Sequence, residues 1–230
     1  MAKRIQMIHY MSNAPLIVWC SYKAREDNPA SVLQISETDA KHMMECIEEI
    51  GVKQYSLCAY ASDDWNGDYS PWPADNPMDS SGFTGNGNRT RELLYTELEE
   101  IKKQYAIGNI ILTGYSLAGL FSLWMGLSCD IISDIICCSG SMWFDGFQEY
   151  LTNLECSSSK RIYLSLGGKE KRTGNPVMQT IEDKTREVVS ILATKSNVQQ
   201  VHFELNPGGH FADSCKRIAN GVNWIINNRK

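Results

Sequence analysis

Short apolar runs alternate along the chain with longer stretches whose apolar positions recur every three or four residues. The runs Ile5–His9, Leu16–Ser21, Gln54–Tyr60, Ile110–Thr113, Asp134–Cys138, Arg161–Leu166 and Val201–Leu205 have the length and composition of strands. The middle ones are almost wholly apolar, as expected of strands covered by helices on both faces. Between them, Asp39–Ile50 and Arg91–Tyr105 are charged and amphipathic, the second with Leu94, Leu98, Ile101 and Tyr105 on one stripe. Leu117–Leu127 is apolar nearly all round and is predicted to be a buried helix. Asn175-Pro176, a capping residue followed by a first-turn proline, opens a predicted helix over Pro176–Ala193. A last helix follows His210, with Phe211, Cys215, Ile218, Val222 and Ile225 at helical spacing. Strands alternating with helices predict a mostly parallel sheet with right-handed crossovers, in one α/β domain over residues 1–230. Ser62–Asn88 breaks the pattern. It is rich in Asp, Asn, Gly, Pro and aromatics and reads as a long irregular loop, a type that is usually functional.

Composition narrows the function classes. Of 230 residues, 43% are apolar, too many for a disordered chain. The net charge of −5, without a basic run, gives no footprint for nucleic acid or an anionic membrane. Gln6, His9, Ser12 and Asn13 interrupt the N-terminal stretch, so neither a signal peptide nor a membrane span is expected. Most of the eight cysteines lie inside apolar runs, where a free thiol behaves as a small hydrophobe. No CxxC or zinc-finger spacing occurs, so reduced thiols, no metal and a cytoplasmic setting are expected.

The sharpest chemical signal is Ile110-Ile111-Leu112-Thr113-Gly114-Tyr115-Ser116-Leu117-Ala118-Gly119. An apolar strand runs through Gly-x-Ser-x-small directly into a helix, which is the context of a nucleophile elbow. Ser116 would then project at the carboxyl end of the sheet, above a helix amino terminus suited to a developing oxyanion. Of the four histidines, His9 and His42 precede the elbow and His202 lies mid-strand. His210 closes a Pro-Gly-Gly loop after the last strand, the position and chain order of a triad base. The acid should lie between them. Glu170 stands just past a strand end, and Asp145, in the loop after the preceding strand, is its rival. The backbone N–H of Leu117 is the first expected oxyanion donor, and Trp65 or Asn66, after the strand ending at Tyr60, the second. Trp65, Tyr69, Trp72, Trp143, Phe144 and Phe147 lie in segments expected to face Ser116. Among them, Trp65, Trp72 and Trp143 are the expected substrate pocket.

With these residues in view, the chain resembles the esterase D and enterochelin esterase family of α/β-hydrolases. The matching segments are Asp64-Trp65-Asn66 with Ser70-Pro71-Trp72, Gly114–Leu120, Ser139-Gly140-Ser141-Met142-Trp143, Ser165-Leu166-Gly167 with Glu170, and Gly208-Gly209-His210-Phe211. The resemblance implies an α/β-hydrolase fold with a minimal lid. It also implies a cofactor-free serine esterase using Ser116, Glu170 and His210, with its second oxyanion donor near Trp65. Two departures stand out: the family's esterase D branch usually carries Asp as its acid, and no long lid is present. The implied partner is a small-molecule ester. Thioester hydrolysis would use the same residues, and a non-catalytic binding member of the fold would not need them. A flavodoxin-like nucleotide binder is disfavoured, because the elbow matches neither phosphate-binding glycine motif.

Overall fold

The computed structural model describes residues 4–22 and 35–228. Its seven-stranded sheet has β1 (Ile5–His9), β2 (Leu16–Tyr22), β3 (Ser56–Ser62), β6 (Ile110–Tyr115), β7 (Ile132–Cys138), β8 (Lys160–Gly167) and β9 (Val198–Asn206) in the order β1-β3-β2-β6-β7-β8-β9. All seven predicted strands are present. Every pairing is parallel except β1 with β3, a polarity the apolar pattern does not encode.

Side chains alternate between the two faces with the period of two that a strand imposes. Leu16, Val18 and Cys20 of β2 join one core, Ile17 and Trp19 the other. The first core is closed by α3 (Gly87–Gln104), α4 (Leu117–Ser128), α5 (Phe147–Asn153) and α7 (Ile181–Ala193). The second is closed by α1 (Glu37–Glu49) and α8 (Ser214–Asn227). In α4 every residue from Leu117 to Leu127 is buried, as its all-round apolarity predicts. Ser36 caps α1, its Oγ accepting from Asp39 N at 3.0 Å, and Glu37 and Asp39 complement the positive end of that helix.

Three expectations are corrected. Residues 62–88 are not an irregular loop. They contain α2 (Trp65–Asp68) and a hairpin of β4 (Pro73–Asn76) with β5 (Asp79–Thr84). Both are short, and the hairpin is largely exposed, so no core-facing periodicity announces them. The predicted helix over Pro176–Ala193 is two, α6 (Pro176–Gln179) and α7, separated at Thr180. Phe211 does not belong to the α8 stripe: the helix starts three residues later, after Asp213 in a left-handed conformation (φ 54°). All eight cysteines are unpaired, seven of them buried. Among the described residues no helix is long and apolar enough to cross a membrane.

Candidate active site

The turn from β6 into α4 leaves no room for a side chain at Gly114, where the strand meets the start of the helix. A Cβ on Gly114 would lie 2.3 Å from the Ala118 carbonyl oxygen. Ser116 itself has φ 58° and ψ −124°, a region a non-glycine residue occupies only when its surroundings enforce it. Three backbone bonds do so: Ser116 N to Cys138 O at 3.0 Å, Leu120 N to Ser116 O at 3.1 Å and Ser141 N to Ser116 O at 3.2 Å. The hydroxyl is thereby held outward at the carboxyl edge of the sheet.

The loop after β9 brings His210 to the same edge. Its Nε2 lies 3.1 Å from Ser116 Oγ, and its Nδ1 lies 2.8 Å from Glu170 Oε2. The Glu170 side chain is 4% exposed. Burial by itself would raise its pKa. Hydrogen bonds from His210 and Ser139, the charge of His210 and the Gly167 N–H outweigh that and hold it below the ordinary carboxylate value. An ionised Glu170 can only accept, so Nδ1 carries the proton and Nε2 is left to accept from Ser116. Asp145, the rival acid, is exposed, and its backbone carbonyl accepts from the Trp72 indole at 3.0 Å. The structure therefore brings Ser116, His210 and Glu170 together and leaves Asp145 outside. His202 stacks against both Tyr163 and Trp224, which also touch each other, away from the serine, as its mid-strand position suggests.

Behind Glu170 lies a hub that the sequence does not announce. Arg217 of α8 is 2% exposed. Its Nη1 donates to Glu170 Oε1 at 3.0 Å, to Ser139 Oγ at 2.8 Å and to the Tyr115 hydroxyl at 2.9 Å. Its Nη2 donates to the carbonyls of Gly209 at 2.9 Å and Pro207 at 3.3 Å, within the histidine loop. Tyr115 in turn donates to the carbonyl of His210, and burial pushes its phenol up to about 12. Ser139, held at φ 46°, donates to Glu170 Oε1 at 2.6 Å. Carboxylate, histidine loop and elbow tyrosine thus share one guanidinium. Ser139 and Tyr115 stood within recognisable motifs but carried no assigned role. Arg217 looked like any charge on an amphipathic helix.

A cavity of about 450 Å³ opens over the serine, lined among others by Trp65, Met78, Trp143, Met178, Ile181 and Phe211. Of the three tryptophans expected at the pocket, Trp65 and Trp143 are at this cavity. Trp72 is not: it packs edge-on against Phe144 and near Tyr150, and lines a separate groove. Phe144, Phe147 and Tyr69 are buried in the core, Tyr69 donating to the carbonyls of Ser21 and Tyr60. The Leu117 N–H is the first of α4 and has no acceptor within its helix. Trp65 occupies the corresponding first position of α2. Sheet order adds a point missed in the sequence: β2, not β3, is the strand beside β6. The loop following β2 lies outside the described residues. No group of three or more His, Cys, Asp or Glu suited to a metal occurs among the described residues.

Comparison with solved structures fits this arrangement of strands. An IroE-like serine hydrolase from Shewanella oneidensis superposes with a TM-score of 0.75 at 13% identity, covering 97% of this chain and 74% of that one. The siderophore hydrolase EstA from Aspergillus nidulans gives 0.67 at 13% identity, over 95% of this chain and 84% of that one. The BES protein from Bacillus cereus gives 0.66 at 14% identity, over 98% and 95%. The chain has an α/β-hydrolase fold. In this fold Ser116 and the His210 loop sit at the carboxyl edge of the sheet. By sequence the chain is 25% identical to the uncharacterized protein YbbA of Bacillus subtilis over 173 residues, 69% of this chain and 68% of that protein. No family model matches.

Proposed function

We propose that the protein is a serine esterase that cleaves carboxylic esters of small acyl or aromatic groups through an acyl-enzyme. The observation that carries this reading is the continuous chain from Ser116 Oγ to His210 Nε2 at 3.1 Å and from His210 Nδ1 to Glu170 Oε2 at 2.8 Å, opening onto a cavity. The Ser116 proton passes to Nε2 as Oγ forms a bond to the ester carbonyl carbon and the carbonyl π electrons move onto oxygen. The N–H groups of Leu117 and Trp65 are the proposed donors to that oxyanion. Its collapse breaks the bond to the alcohol oxygen, which leaves with the proton from His210. Water, deprotonated by the same nitrogen, then attacks the acyl-enzyme and restores Ser116. Glu170 stays ionised throughout, orienting the imidazole and stabilising imidazolium. The hydrolase names of the structural neighbours belong to those proteins, and they support the reading without supplying a substrate.

A fluorophosphonate probe tests the proposal. Stoichiometric labelling of the wild-type chain that disappears in Ser116→Ala is expected. An unlabelled wild type would refute the serine-hydrolase reading, and labelling retained in Ser116→Ala would show another nucleophile.

A further inference from the structure

Glu170 receives its hydrogen bonds unevenly. Three donors converge on Oε1: Ser139 Oγ at 2.6 Å, Gly167 N at 2.7 Å and Arg217 Nη1 at 3.0 Å. Oε2 meets His210 Nδ1 at 2.8 Å. The bond from Ser139 is the shortest of these. An ionised carboxylate only accepts, so the single hydroxyl proton of Ser139 points to Oε1. The Tyr115 oxygen stands 3.0 Å from the same hydroxyl, but its own proton is on the His210 carbonyl. Arg217 Nη1 donates to Ser139 Oγ at 2.8 Å, which polarises the hydroxyl and strengthens its donation to Glu170.

The backbone of Ser139 is held where a serine is a poor choice. The residue follows β7 directly at φ 46°, and its N–H is pinned to the Ser165 carbonyl at 2.7 Å. Glycine adopts that left-handed conformation freely, whereas a side chain there is strained. Ser116 is the matching case on the neighbouring strand. It follows β6 directly at φ 58°, and its strained side chain is the one bonded to His210. Two adjacent parallel strands therefore each end in a strained serine, one on the base and one on the acid. A hydroxyl that did nothing at position 139 could be traded for glycine with a gain in stability.

We infer that Ser139 is a positioning residue: by bonding Oε1 it fixes the Glu170 carboxylate with Oε2 turned to His210, and so keeps the imidazole in the tautomer and direction that Ser116 requires. The inference rests on the serine-esterase reading and adds a residue to its machinery.

Two variants remove the hydroxyl with different effects on the backbone. Ser139→Ala keeps the strain and Ser139→Gly releases it. If the residue only shapes the turn, Ser139→Gly should equal or exceed wild type in turnover. On the inference, both variants lower kcat for p-nitrophenyl acetate at least about 10-fold, the effect of losing a hydrogen bond to a charged group, with KM within about twofold. A double-mutant cycle places the effect at Glu170. In Glu170→Gln no carboxylate remains to be positioned, so adding Ser139→Gly should lower kcat by less than about threefold more. Ser139→Gly within twofold of wild type, a loss carried by KM instead of kcat, or an equal loss in the Glu170→Gln background would overturn the inference. If Ser139→Gly does not fold, Ser139→Ala taken through the same cycle decides. Fluorophosphonate labelling of the same preparations separates this claim from the one beneath it. Labelled wild type with undiminished Ser139→Gly refutes the positioning role alone. Wild type that is neither labelled nor active refutes the esterase reading and this inference with it.

Discussion

Replacing Arg217 by methionine removes the cation of a buried pair while keeping most of the side-chain volume. Glu170 would keep its bonds from His210, Ser139 and the Gly167 N–H, but its charge would lose the guanidinium 3.0 Å away, with both side chains at most 4% exposed. The carbonyls of Gly209 and Pro207 would lose their donor as well. Removing one partner of a buried ion pair costs about 3–5 kcal/mol, because the other charge remains in a poorly solvating place. For a chain of this size that is a fall in Tm on the order of 10 °C. Arg217→Lys retains a positive charge but not the fork that reaches Glu170 and the loop together, so it should cost about half as much. Urea unfolding at neutral pH measures both variants. Activity adds a second readout, since the loop that presents His210 to Ser116 is moored by the same group. A misplacement of about 1 Å at the reacting atoms costs about 100-fold in rate, so kcat should fall by 10- to 100-fold with KM little changed. If Arg217→Met unfolds within about 1 kcal/mol of wild type, the pair contributes nothing net and the reasoning fails.

Further expectations follow from the same geometry. Glu170→Gln should lower kcat by roughly 100- to 10,000-fold, by analogy with loss of the acid in other triads, while Asp145→Asn stays within about twofold; p-nitrophenyl acetate turnover decides between them. Ser116→Gly should abolish turnover and raise stability by about 1 kcal/mol in urea, because glycine accepts φ 58° without strain. The depressed pKa of Glu170 sets a pH dependence of unfolding: its stabilisation is complete above the unfolded carboxyl value of 4.5 and is lost as pH falls through the lower folded value. In Glu170→Gln that part of the acid limb should disappear from urea midpoints measured down the pH scale. Tyr115, raised from 10.0 to about 12, acts at the other end, with its contribution lost as pH climbs between those values.

How much of this was legible follows from what each residue contacts. Strands packed on both faces must be apolar along their length, so the middle ones could be read from hydrophobicity alone, whereas the half-buried edge strands β1 and β9 gave a weaker signal. α2 and the β4–β5 hairpin are too short to show a period, and their sequences say only that the segment turns. Ser116 and His210 were legible because an elbow and a post-strand loop demand small residues at fixed places, and those demands show in sequence. Trp72 misled because an aromatic in a polar segment looks the same whether it lines a cavity or staples a loop through its indole N–H. Arg217 stayed hidden because its partners are two carbonyls, two hydroxyls and a carboxylate scattered from Tyr115 to Gly209.

The position of Arg217 also has a bearing on biosynthesis. A ribosome delivers the chain from its amino end at roughly 5–20 residues per second, and the elbow with its buried helix α4 emerges before β8, β9 and α8. Glu170 follows after β8, and His210 and the guanidinium that joins them come later still, after β9 and in α8. A nascent chain that has already formed the elbow therefore displays its serine without the base beside it. On the serine-esterase proposal, the hydroxyl stays an ordinary alcohol until α8 has emerged and docked, so reactivity waits on segments made well after the elbow.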